Sequence, residues 1–190
     1  MTNNKLYMAI VEARNSNKLE ECLNNLELKF LVMSGKGSAK KSFWDFFGIK
    51  DNSKLVYWIF TNMDITSNLQ LNYSNKDLFL AKIGDNMSKE KLFVCIINSG
   101  FAEDIMDLAR ELGATGGTIL DGRGTGKQAD LIFGSEIDSA KEIVTIFCTE
   151  DLSKKLENKI NYYIKNNEFI SGICFTLNAK LYKGINLDNQ

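Results

Sequence analysis

The sequence predicts an α+β protein assembled from two copies of a βαββαβ unit. Each copy is an antiparallel sheet with both helices on one face, and the first copy is degenerate. Three observations predict it: an internal repeat, short apolar runs alternating with helical stripes, and a matched pair of basic glycine loops. This is a tandem ferredoxin-like arrangement, with residues 1–86 and 87–190 as its two domains.

The repeat begins at the first strand. Lys5-Leu6-Tyr7-Met8-Ala9-Ile10-Val11 reads like Lys91-Leu92-Phe93-Val94-Cys95-Ile96-Ile97 at an offset of 86. Both runs are apolar and rich in strand formers, so both predict buried strands. Leu19, Cys22, Leu23 and Leu26 then follow helical spacing, which Ile105, Leu108, Ala109 and Leu112 repeat. Gly113 closes the second of these helices as a C′ glycine would.

A strand and a basic glycine loop come next in each copy. The first has residues 30–33 and then Gly35-Lys36-Gly37-Ser38-Ala39-Lys40. The second has residues 117–120 and then Gly122-Arg123-Gly124-Thr125-Gly126-Lys127, at an offset of 87. Residues 54–60 and 141–147 form the following strands. The copies diverge after that. Leu152, Leu156, Ile160, Tyr163 and Ile164 mark a clear helix, capped by Thr149 or Asp151, and residues 173–177 a last strand. The equivalent stretch of copy one, residues 63–75, is polar and predicts at most one helical turn, before a strand at 77–82. Such a sheet leaves one face bare. With Tyr7, Tyr57, Phe93, Phe147 and Phe175 on the strands, that face is expected to be covered by the other copy or by another chain.

Composition narrows the function classes. A net charge of -1 lacks the basic footprint of a general nucleic-acid binder. The chain contains no histidine, the commonest general base and metal ligand, and no proline. Cys22, Cys95, Cys148 and Cys174 are scattered, and three lie in apolar runs where a packed, reduced thiol is expected. No apolar run reaches bilayer length and no signal segment stands at the start, so a cytoplasmic location is expected.

Residues 113–128 hold the strongest chemical signal. Three glycines at alternating positions let backbone N–H groups turn inward as an anion nest, and Arg123, Thr125 and Lys127 add charge and a hydroxyl. Phosphate is the natural guest. The spacing is not a Walker A loop, since Asp121 and Gln128 stand at its defining ends. It is not the G-x-G-x-x-G fingerprint either. A glycine-rich hairpin without a ligand has the same pattern.

Residues 91–147 resemble the PII nitrogen-regulatory family of signalling proteins. The resemblance rests on the strand, the helix ending Ala109-Arg110-Glu111-Leu112-Gly113, Gly113-Ala114-Thr115-Gly116-Gly117-Thr118, Gly122-Arg123-Gly124-Thr125-Gly126, and Ala140-Lys141-Glu142-Ile143-Val144. It implies a non-catalytic, oligomeric sensor, a trimer or a dimer, that binds an adenine nucleotide (ATP, ADP or AMP) with magnesium as companion ion. Such a sensor reports to a partner, in some family members a membrane transporter. Carried over by position, Thr118 meets the nucleotide base region, and Gly124, Gly126 and Lys127 stand at the start of the reporting loop beside the phosphates; Gly122, Arg123 and Thr125 join the expected phosphate site through the chemistry of the glycine nest. Gln128 takes the place of the glutamine that helps hold magnesium with 2-oxoglutarate.

The sequence departs from that family in three ways. The reporting loop, residues 127–137, is short and has no tyrosine, and residues 169–173 replace the Gly-Asp-Gly-Lys loop, keeping only Gly172. A triphosphate thereby loses a charge-assisted hydrogen bond worth about 1.5–3 kcal/mol. Lys180 or Lys183 is placed to compensate, although a solvated face is the simpler reading of both. In copy one, Phe43, Trp44, Phe46 and Phe47 form an aromatic cluster that either packs on the sheet or docks on a partner. A ligand-free interaction module is therefore the second reading. Glu103-Asp104 and Glu150-Asp151 are expected to complement helix starts.

Overall fold

In the computed structural model, β-branched and aromatic runs form eight strands. These are β1 (Lys5–Glu12), β2 (Lys29–Gly37), β3 (Ser53–Thr61), β4 (Leu78–Ile83), β5 (Glu90–Asn98), β6 (Thr118–Arg123), β7 (Ala140–Thr149) and β8 (Gly172–Lys183). Among the described residues amphipathic stripes form four α-helices: α1 (Ser16–Asn25), α2 (Thr66–Asn72), α3 (Ala102–Glu111) and α4 (Glu150–Lys165). The structure describes residues 5–37, 53–73, 78–123 and 140–183, with backbone alone at 70–72 and 183.

Local signals act as their chemistry dictates. The Leu152 N–H donates to Thr149 Oγ1 at 3.3 Å, so Thr149 rather than Asp151 caps α4. Gly113, at φ 107, ends α3 in a conformation that favours glycine. No side chain at Phe101 caps α3. Instead, the Gly100 and Ala102 N–H groups donate to the Glu142 carboxylate at 3.0 Å, so β7 supplies the anion for that helix start. Glu103 and Asp104 lie in the first turn of α3, and Glu150 and Asp151 in that of α4. One expectation fails locally. Residues 66–72 make seven helical residues, not a single turn, because Ile65 and Leu69 bury against the sheet and outweigh the polar neighbours.

The expectation of tandem ferredoxin-like repeats is overturned. The strands form one closed antiparallel barrel in the order β1-β3-β2-β6-β7-β5-β8-β4. Two ladders close it: Gly35↔Leu120 to Gly37↔Thr118 joins β2 to β6, and Leu80↔Lys183 to Ile83↔Ala179 joins β4 to β8. The physical cause is the bare sheet face. Two sheets with apolar second faces remove both from water, and all four open edges, by curling into a single ring.

Strand alternation then separates three cores. Tyr7, Tyr57, Leu80 and their neighbours pack under α1 and α2. Phe93, Ile97, Val144 and Ile146 pack under α3 and α4. Met8, Val56, Phe79, Leu92, Leu120 and Phe147 fill the barrel interior from both halves. The five aromatics on the strands divide between the two faces: Tyr7, Tyr57 and Phe93 meet helices, whereas Phe147 and Phe175 stand on the inward side.

The tyrosines under α1 and α2 bear on alkaline stability. Burial, followed by the nearby Asp64 and Tyr182, pushes Tyr7 up to about 12. Its hydroxyl is buried without a well-formed hydrogen bond, although Asp64 and the Ile65 backbone lie near enough to influence its acidity. Tyr73 is likewise raised to about 12, by burial and then by Cys22. Tyr57 is raised by burial and by its hydrogen bond to Glu20 Oε1 at 2.7 Å. A phenol held neutral in the fold ionises first in the unfolded chain. The stabilisation is therefore complete below about pH 10 and is lost as pH rises towards 12. Absorbance at 295 nm is expected to show these three phenols ionising together with loss of the circular-dichroism signal. Smooth titration of all tyrosines with the fold intact would contradict this.

Candidate functional site

β6 positions the part of the glycine-rich segment that the structure describes. Thr118 stands on the inward face of the barrel, buried, opposite Thr145. The Thr145 hydroxyl donates to the Thr118 carbonyl at 3.1 Å. Gly122 lies four residues on along the same face, and Arg123 is exposed on the other face, by strand alternation. Thr118 and Arg123 are therefore not brought to one surface. Gly124, Thr125, Gly126, Lys127 and Gln128 lie outside the described residues, as do Phe43, Trp44, Phe46 and Phe47.

The structure adds a cation that the spacing did not single out. Lys141 is the register partner of Gly122 across the β6–β7 ladder, and Asn98 is its partner across β5–β7. The segment that leaves β6 at Arg123 and re-enters β7 at Ala140 thus has a second positive charge at its base. The link is cross-strand rather than sequential: Gly122 and Lys141 lie 19 positions apart in the chain.

Residues 169–173 have a packing explanation. A Cβ at Gly172 would lie 2.5 Å from the Ile96 carbonyl oxygen and 2.6 Å from Ile97 Cγ2, so this glycine lets β8 approach β5. Ser171 N–H donates to Asn98 Oδ1 at 2.8 Å, and Asn98 Nδ2 donates to the Phe169 carbonyl at 3.1 Å. Lys180 is exposed and lies 5.4 Å over the Tyr182 ring.

No family model and no curated protein matches the chain. Among solved structures it is similar to a candidate PII-like signalling protein from Thermus thermophilus. The identity is 17% and the TM-score 0.36, over 48% of this chain and 87% of that one.

The chemistry offered by the remaining groups is limited. Burial raises the Cys95 and Cys148 thiols to about 12 and that of Cys174 to about 11, which leaves them poor nucleophiles at neutral pH. Among the described residues no three acidic or cysteine side chains cluster as metal ligands. No described helix is long and apolar enough to cross a membrane.

Proposed function

We propose that this chain is a non-catalytic regulatory protein. It binds a phosphorylated small molecule, foremost an adenine nucleotide, at residues 122–128 and transmits the bound state to a partner protein. The observation that carries the reading is the run Gly122-Arg123-Gly124-Thr125-Gly126-Lys127, which leaves a barrel strand beside Lys141. Backbone N–H groups of a glycine-rich turn and three cations are the chemistry that a phosphate group selects. The PII-like spacing of residues 91–147 supports the same class of ligand, and by family analogy a membrane transporter is one class of partner.

Calorimetry with ATP, ADP, AMP and cyclic dinucleotides, with and without magnesium, tests the reading. At least one is expected to bind, and Arg123→Ala or Lys127→Ala to weaken it about tenfold or more. Absence of binding to all four, or binding indifferent to both variants, would overturn it.

One observation favours a ligand-free interaction module instead. Gly172, the last remnant of the family's second phosphate loop, is accounted for by strand packing alone. That reading expects no nucleotide binding and partner capture that is lost in Trp44→Ala.

A further inference from the structure

The two ends of the barrel are built differently. At one end the interior is plugged: the Phe79 and Phe147 rings lie 4.4 Å apart between centroids. Glu12 and Lys54, register partners on the same inward face, pair at 3.4 Å. At the other end the inward-facing apolar side chains of the described strands are exposed. Phe60 is 55% exposed there, Leu31 54% and Ile173 61%, with Phe175 and Leu177 more than a third exposed. These five belong to three strands from both halves of the chain, and Trp58, opposite Leu31, continues the wall inward.

Registers place the groups at one rim. Leu6 opposes both Phe60 and Ile83, Lys29 opposes Phe60, and Ile96 opposes both Ile143 and Ile173. By alternation, Lys29 and Lys141 stand on the inward side of β2 and β7. Neither belongs to an ion pair found among the described residues. The acidic residues on β6 and β7, Asp121 and Glu142, face outward.

We propose that this open end is a binding site for a free amphiphile with one apolar chain and an anionic head, of the fatty-acid class. The wall side chains stand on the concave, inward faces of a closed ring, which suits a narrow apolar chain better than a flat or convex protein surface. An eight-stranded barrel has room for packed side chains or for one small ligand, and since Met8, Val56, Leu92, Phe79 and Phe147 fill the interior towards the plugged end, the open end is where a ligand fits. Charge sets the head group: the inward rim carries two lysines and no described carboxylate, so it complements an anion over a cation or a neutral head. The site shares Lys141 with the proposed phosphate site at residues 122–128, and the Phe60 and Phe175 variants, which lie outside that site, separate the two readings.

Trp58 reports on it directly. In Trp44→Phe protein, a dansylated undecanoic acid is expected to bind one per chain, with energy transfer from Trp58, and dodecanoate to displace it. Phe60→Asp with Phe175→Asp is expected to abolish binding, with circular dichroism confirming the fold. Lys29→Glu with Lys141→Glu is expected to weaken dodecanoate about tenfold or more while leaving dodecanol unchanged. The proposal is overturned by absence of saturable binding, by binding indifferent to the phenylalanine variants, or by equal affinity for acid and alcohol in both backgrounds. It is also overturned if light scattering shows a dimer that Phe60→Asp dissociates with no probe bound, since a second copy then covers the rim. Sedimentation with phosphatidylglycerol vesicles in the absence of probe binding overturns it in favour of a membrane surface.

Discussion

Phe147→Ala is expected to destabilise the protein by about 3–5 kcal/mol, while Phe60→Ala costs about 1 kcal/mol or less. The two phenylalanines hold the same place in the repeat, 87 residues apart at the end of β7 and of β3. Sequence alone makes their truncations equivalent. The barrel separates them because its halves run in opposite senses: β1 begins at the open end, and its counterpart β5 finishes there. Phe147 is 4% exposed and packs against Phe79, whereas Phe60 is half in water at the open rim. Losing Phe147 leaves a cavity between strands from both halves, which the ring of ladders cannot collapse. Urea unfolding of both variants checks this, with equal slopes required for the comparison. Similar losses would mean that the two ends of the barrel are alike.

Gly35→Val carries the second large effect, because it strikes a seam. The β2–β6 ladder joins the two halves through three residue pairs, Gly35↔Leu120 among them. A Cβ at Gly35 would lie 2.6 Å from Leu120 Cδ2 and 2.7 Å from the Ile119 carbonyl oxygen. The leucine could rotate, but the carbonyl belongs to the strand itself, so the ladder must part. Overpacking costs about 1–3 kcal/mol where only side chains move, and the backbone clash puts Gly35→Val at or above that range. Gly122→Ala is the control: its nearest neighbour is Ile143 Cδ1 at 3.3 Å, the flexible end of a side chain, and the cost is expected to stay near or below about 1 kcal/mol. Hydrogen exchange should show amides of β2 and β6 exchanging first in Gly35→Val. Unchanged protection along this seam would contradict its role in closing the barrel.

Several elements were legible because their signals are local. The strand at Lys5–Glu12 and its copy at Glu90–Asn98, the stripe of α3 and its closing Gly113, and the Thr149 cap all follow from residues within a turn or a strand of one another. The need for the bare sheet face to be covered was also legible, since it follows from apolar alternation alone. Which of the two expected covers it takes, the other copy or another chain, was not. Ring closure depends on Gly35 meeting Leu120 and Ile83 meeting Ala179, contacts between residues 85 or more positions apart that no local pattern encodes.

The glycine-rich run and its cations were determined by the sequence itself, and their composition and spacing are the ground on which a phosphate is proposed as ligand. Only the tertiary structure decided which side of β6 each residue faces: Thr118 turned inward against Thr145, Arg123 turned outward, and Lys141 arrived opposite Gly122. It also decided that two equivalent phenylalanines meet different fates, one buried and one at an open mouth. The physical reason is the same in each case. Alternation assigns a residue to a face, but only closure of the sheet determines whether that face meets helices, the barrel interior or water.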